Sequence, residues 1–150
     1  MVPRSARRRV GKGMIAVDTN ALLRWLLAEA LPPEDGPQIA AIAAALDHEG
    51  APVFVSAVVM AELVWLLKSR AKFNRHQIVD LVDRIVSDSR IFVEHAEAFR
   101  RAFASFATGG PGFVDHLIGQ IASASGARTT LTFDRGAGRL STFTLLATGG

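Results

Sequence analysis

The sequence predicts an α/β protein, a three-layer α/β/α sandwich around a parallel sheet of about five strands. Two observations carry this expectation. From Met14 onward, short apolar runs of strand length alternate with longer stretches in which apolar residues recur every three or four positions. The connections between them are short, with no internal repeat and no low-complexity stretch. At 150 residues, the length also suits one core.

Taken in order, residues 14–17 (Met-Ile-Ala-Val) form a buried first strand, and 20–29 follow as a helix through Leu22, Leu23, Leu26 and Leu27. Pro32, Pro33, Gly36 and Pro37 break the chain, after which the Ala-rich segment 38–48 is helical. Residues 52–55 form the second strand, and 57–69 a strongly apolar helix. The stretch 75–87 is an amphipathic helix carrying Ile78, Val79, Leu81, Val82, Ile85 and Val86. Residues 90–93 form a third strand, followed by a helix at 96–107 bearing Phe99, Phe103 and Phe106. Gly109-Gly110-Pro111-Gly112 makes a tight connection to a helix at 114–125, which Gly126 stops. Residues 129–133 and 143–146 are the last two strands.

Composition narrows the chemistry. The chain holds no cysteine, which excludes disulfides, thiolate metal sites and a Cys nucleophile, so any metal must be held by oxygen or imidazole. The richest apolar run, 57–67, is interrupted by Glu62 and falls short of the roughly 20 residues a membrane span requires. Asp18, Asn20 and Arg24 break the apolar segment that a secretory signal would need, so the expectation is a cytoplasmic protein without a membrane anchor. The net charge of +3 is uneven: Arg4, Arg7, Arg8, Arg9 and Lys12 are five of the seventeen basic residues. The remaining twelve face fourteen acidic groups, a balance of −2. Residues 1–13 therefore read as a basic arm, either solvated or suited to phosphates by charge, ahead of a domain at 14–150.

In open parallel sheets, ligands bind beyond the carboxyl ends of the strands. Asp18 directly follows the first strand and Asp134 the fourth. Glu62 is the only polar side chain between Ala57 and Leu67, and sealing an unpaired carboxylate inside such a helix is expensive. It is expected to face a cation, a donor such as Arg24, or a wet pocket at the same edge. Asp115 opens the helix after the Gly-rich connection. Asp18, Asp115 and Asp134 each also suit a helix N-cap, where a carboxylate accepts backbone N–H bonds. Three or four carboxylates at one edge repel one another unless a divalent cation joins them. Mg²⁺ or Mn²⁺ suits such oxygen ligands, and an ion so placed activates water and stabilises charge on a phosphodiester.

Val17-Asp18-Thr19-Asn20, Ser56 with Glu62 six residues on, Phe113-Val114-Asp115-His116-Leu117-Ile118 and Thr132-Phe133-Asp134-Arg135 resemble the motifs of the PIN-domain nucleases, with VapC-type toxins of toxin–antitoxin pairs the nearest kin. The resemblance spans residues 14–146. It implies Mg²⁺- or Mn²⁺-dependent endonucleolytic cleavage of RNA, tRNA among the targets, together with dimerisation and inhibition by an antitoxin protein. It makes Asp18, Glu62, Asp115 and Asp134 the catalytic, metal-binding acids, and Asn20, Ser56 and Thr132 the groups that orient them. Gly112 stands where many relatives carry a further acid, which favours one tightly held ion and leaves a second to arrive with substrate. Arg135 and Arg139 have two readings, as holders of substrate phosphates or as solvated side chains. His116 likewise reads as a proton carrier or a packing histidine. The apolar face of 75–87 suggests a homodimer.

Two other enzyme classes fit poorly. A phosphatase with an aspartyl nucleophile wants a second Asp at position 20, where Asn20 stands, and a receiver domain wants paired acids after the first strand. The reading that competes is a PIN-like domain that binds RNA or a protein without cutting.

Overall fold

In the computed structural model, residues 13–47 and 50–149 are described; apart from Gly13, the basic arm lies outside them. Among the described residues are six α-helices, α1 (Thr19–Leu26), α2 (Gly36–Leu46), α3 (Ala57–Ser69), α4 (Arg75–Ser87), α5 (Ala96–Ala107) and α6 (Phe113–Ala124). The strands are β1 (Val53–Val55), β2 (Ile91–Val93), β3 (Thr130–Thr132) and β4 (Phe143–Leu145). The chain divides into two compact units, the first from Met1–Leu63 with Ser87–Glu94, the second from Val64–Val86 with His95–Gly150.

In the first unit, β1 and β2 pair in parallel with Phe54 opposite Phe92. Val53, Val55, Ile91 and Val93 are buried, while the Phe54 and Phe92 rings stack on the alternate face, 6.0 Å between centroids. The expected first strand is reduced to a parallel bridge from Ala16 to Phe54. Two bonds hold it, Phe54 N–H to the Ile15 carbonyl at 2.8 Å and Val17 N–H to the Phe54 carbonyl at 3.3 Å. The chain turns into α1 too soon after Val17 for a longer ladder. Helix α1 starts at Asp18, whose Oδ1 accepts from Ala21 N–H at 2.9 Å.

In the second unit, β3 and β4 also pair in parallel, with Leu131 opposite Thr144. The observed fold is thus α/β with parallel strands. Among the described residues the strands form two parallel two-stranded ladders and the parallel Ala16 bridge. Helix α4 begins with a capping box: Asn74 Oδ1 accepts from Gln77 N–H at 2.8 Å, and Gln77 Oε1 accepts from Asn74 N–H at 2.9 Å. Helices α5 and α6 pack through Phe99, Phe103, Phe106 and Phe113, with Phe103 and Phe113 centroids only 4.7 Å apart. Phe99 is fully buried there, and each ring so removed from water favours the fold by about 1.5–3 kcal/mol. The connection from α5 to α6 needs the left-handed backbone of Gly109 (φ +117°) and Gly110 (φ +85°), which side chains rarely tolerate. Gly126, at φ +96°, ends α6 as expected.

Candidate active site

In the first unit, Asp18 stands just past the Ala16 bridge, exposed, with one carboxylate oxygen engaged by the α1 N-terminus and the other free of that bond. Asn20 lies in the first turn of α1, exposed. Ser56 follows β1, and its Oγ accepts from Val59 N–H at 3.1 Å, fixing the start of α3. Glu62 lies in the second turn of that helix.

The expected environment of Glu62 is corrected by α3 itself. The buried stripe is Met60, Leu63, Val64 and Leu67, while Val58 (77% exposed), Glu62 and Trp65 (55% exposed) share the opposite, open face. Glu62 is therefore not an acid sealed in an all-round apolar helix. Its exposure to water means that burial does not require a cation beside it. The alternative pairing with Arg24 is also absent: Arg24 Nη2 meets Asp35 Oδ1 at 3.2 Å instead, and its Nη1 donates to the Asn20 carbonyl.

In the second unit the acids stand differently. Gly112 caps α6 without a side chain, so Asp115 sits in the first helical turn instead of at the cap. It is half-buried, and burial followed by the charge of Asp134 pushes its carboxyl above the ordinary value, with His116 pulling the other way. The two carboxylates thus sense each other within one unit. Asp134 follows β3; its Oδ2 accepts from Ala137 N–H at 2.7 Å, and its own N–H donates to Thr132 Oγ1 at 3.0 Å. The capping expectation accordingly holds for Asp18 and fails for Asp115 and for Asp134, since Gly112 caps α6 and Gly136 caps the single turn at Ala137–Arg139. Gly136 lies between Asp134 and Pro111: a Cβ there would stand 3.2 Å from Asp134 Oδ2 and 3.7 Å from the Pro111 Cβ. Arg135 and Arg139 are exposed immediately beyond Asp134.

Three further residues shape these segments. Glu94 follows β2 as Asp18 and Asp134 follow their extended segments, and its Oε1 accepts from Ala57 N–H at 2.9 Å, capping α3 alongside Ser56. The rule that singled out Asp18 and Asp134 points to Glu94 as well. Arg75, at the start of α4, donates to the Phe106 carbonyl and to the Gly110 carbonyl (3.4 Å), with its guanidinium 4.1 Å from the Phe106 ring centroid. Ser105 Oγ lies 2.7 Å from His116 Nδ1. No sequence pattern links these last partners, which lie 31, 35 and 11 residues apart.

Among the described residues, no three His, Asp or Glu side chains form a metal-holding group. Asp115 and Asp134 are the two acids of this unit whose charges act on one another, and a divalent ion such as Mg²⁺ commonly takes one or two carboxylates and completes its shell with water and substrate phosphate. A cation beside Asp115 would relieve both the burial and the repulsion that raise its pKa.

The PIN domain family model matches residues 15–142, most of the chain. The chain belongs to the PIN-domain family. A comparison with curated proteins finds no match. PIN domains are generally metal-dependent nucleases, so membership gives this chain a nuclease-type, RNA-related function. Among the described residues, no helix is long and apolar enough to cross a membrane.

Proposed function

We propose that this PIN domain is a Mg²⁺- or Mn²⁺-dependent endoribonuclease, the toxin of a toxin–antitoxin pair, with Asp18, Glu62, Asp115 and Asp134 as its metal-binding acids. The observation that carries the proposal is the half-buried Asp115, whose carboxyl is raised by burial and by its neighbour Asp134. A divalent ion held by these acids would supply an activated water and neutralise charge on the scissile phosphate. The chain does the rest. Thr132 Oγ1 and the Ala137 N–H hold the Asp134 main chain and one carboxylate oxygen, leaving the other oxygen available. Ser56 Oγ and Glu94 Oε1 anchor the first turn of the helix that carries Glu62. Asp18 caps α1 through one carboxylate oxygen, and Asn20 follows in the first turn of that helix. Arg135 and Arg139 are placed to draw in RNA phosphates by charge. A homodimer and an antitoxin segment that covers these acids complete the proposed assembly.

The test is cleavage of a panel of structured RNAs, tRNAs included. Wild type is expected to cut in Mg²⁺ or Mn²⁺ and to stop in excess chelator, with Asp115→Asn and Glu62→Ala each lowering the rate by about 100-fold or more. Cutting that persists with chelator, or in both variants, ends the proposal. One observation favours a second reading, an RNA- or protein-binding domain without cleavage. Glu62 lies on an open face between Val58 and Trp65, the kind of mixed surface that binds partners. Tight RNA binding without cleavage across the panel would favour that reading.

A further inference from the structure

His116 is 2% exposed and is the one buried histidine of the described residues, in a chain whose other described histidines, His76 and His95, are exposed. Its ring spans two structures. On one side Nδ1 meets Ser105 Oγ of α5 at 2.7 Å. On the other, Nε2 is buried with no hydrogen-bond partner and faces the 109–112 turn, where a Cβ on Gly110 would stand only 3.7 Å away. The carbonyls of Pro111 and Gly109 lie close enough to favour a protonated nitrogen, against the burial that otherwise lowers the ring's pKa. A neutral ring carries one N–H; if Ser105 donates to Nδ1, that proton sits on Nε2, facing the 109–112 turn. Arg75 grips the same turn from α4 through the Gly110 carbonyl.

We propose that His116 is a positioning residue for Asp115: by tying the 109–112 turn to α5, it sets the rotation of the first turn of α6 and hence the approach of Asp115 to Asp134. Successive residues of a helix step by 100°, so a side chain locked inward at 116 fixes where its neighbour at 115 faces. Phe113 is buried in the same turn and Val114 is open to solvent, so Asp115 lies between a buried and an open face. His116 acts through Asp115 and touches no substrate. The inference rests on the reading of Asp115 as a metal-binding acid.

His116→Phe keeps a ring against Phe106, whose centroid is 6.0 Å from that of His116, and removes both nitrogens. His116→Asn retains a group near Nδ1 alone, and Ser105→Ala removes the α5 anchor with little loss of volume. The readouts are Mn²⁺ affinity, from the paramagnetic resonance of the free ion, the melting midpoint, and kcat and KM on RNA. His116→Phe is expected to weaken Mn²⁺ binding about tenfold or more and to lower kcat similarly, with KM unchanged. Ser105→Ala should weaken binding less, and adding it to His116→Phe should cost nothing further. His116→Asn should lie between wild type and His116→Phe. Mn²⁺ affinity within about twofold of wild type in a folded His116→Phe protein overturns the inference. If His116→Phe fails to fold, wild-type Mn²⁺ affinity in both folded Ser105→Ala and His116→Asn overturns it. A wild type that binds Mn²⁺ and cuts RNA beside an unaffected His116→Phe leaves the nuclease reading standing; a wild type that does neither ends both.

Discussion

Gly119→Ala sets two effects of similar size against each other at the helix that bears Asp115. Gly119 is one turn beyond Asp115 in α6, buried against the start of β4. Alanine is the better helix former by about 1 kcal/mol, so an exposed site would be stabilised. Here the new methyl would stand 2.8 Å from Phe143 Cε1 and 2.9 Å from Thr142 Cβ, and closer still to Thr142 Oγ1. The hydroxyl can swing aside, but the Thr142 Cβ moves only with its backbone, which is tied by the Thr130 N–H to Thr142 carbonyl bond at 3.0 Å. Overpacking of this kind costs about 1–3 kcal/mol, which against the helix gain leaves a net cost of up to about 2 kcal/mol. At about 2–4 °C per kcal/mol for a chain of this size, the melting midpoint should fall by up to about 8 °C. Differential scanning calorimetry on the metal-free protein measures this directly. A variant that melts at or above the wild type would refute the close approach of α6 to β4.

Two predictions concern charge. Asp115 has its carboxyl pKa raised in the fold by burial and by Asp134, so its ionised form destabilises the metal-free protein above that raised value. The penalty fades as pH falls through the folded pKa and is gone below the ordinary 3.8, so in chelator Asp115→Asn should melt higher than wild type at neutral pH and lose the advantage in acid. Equal midpoints across that range would contradict the pairing with Asp134. Asp88 shifts the opposite way, because Arg90 bonds its carboxylate at 2.7 Å and holds the pKa below 3.8. Its stabilisation is full above 3.8 and is lost as pH falls through the lower folded value. Asp88→Asn should therefore cost about 0.2–1 kcal/mol at neutral pH by denaturant titration, with the difference disappearing in strong acid.

How much could be read in advance differed from element to element. Helices α3, α4 and α5 begin and end where the apolar spacing places them, because a repeat of 3.6 residues lies within each segment. The strands were legible as runs but not as a sheet, since pairing depends on partners far along the chain. Glu62 shows the limit of composition. A helix whose residues are nearly all apolar looks buried all round, yet only packing decides which face stays open, and here Val58, Glu62 and Trp65 stay out. His116 was visible only as a histidine beside an acid. Its two roles separate once Ser105 and the 109–112 turn are seen against the ring.

The proposed function makes Asp18, Glu62, Asp115 and Asp134 metal-binding acids. Nuclear magnetic resonance of the labelled protein during addition of substoichiometric Mn²⁺ tests it most directly, since the paramagnetic ion broadens amides near it. The expected result is selective loss of the signals around all four acids, reversed by chelator and abolished by Asp115→Asn. Broadening that spares Asp115 and Asp134, or that reaches them while leaving Asp18 and Glu62 untouched, would contradict the account.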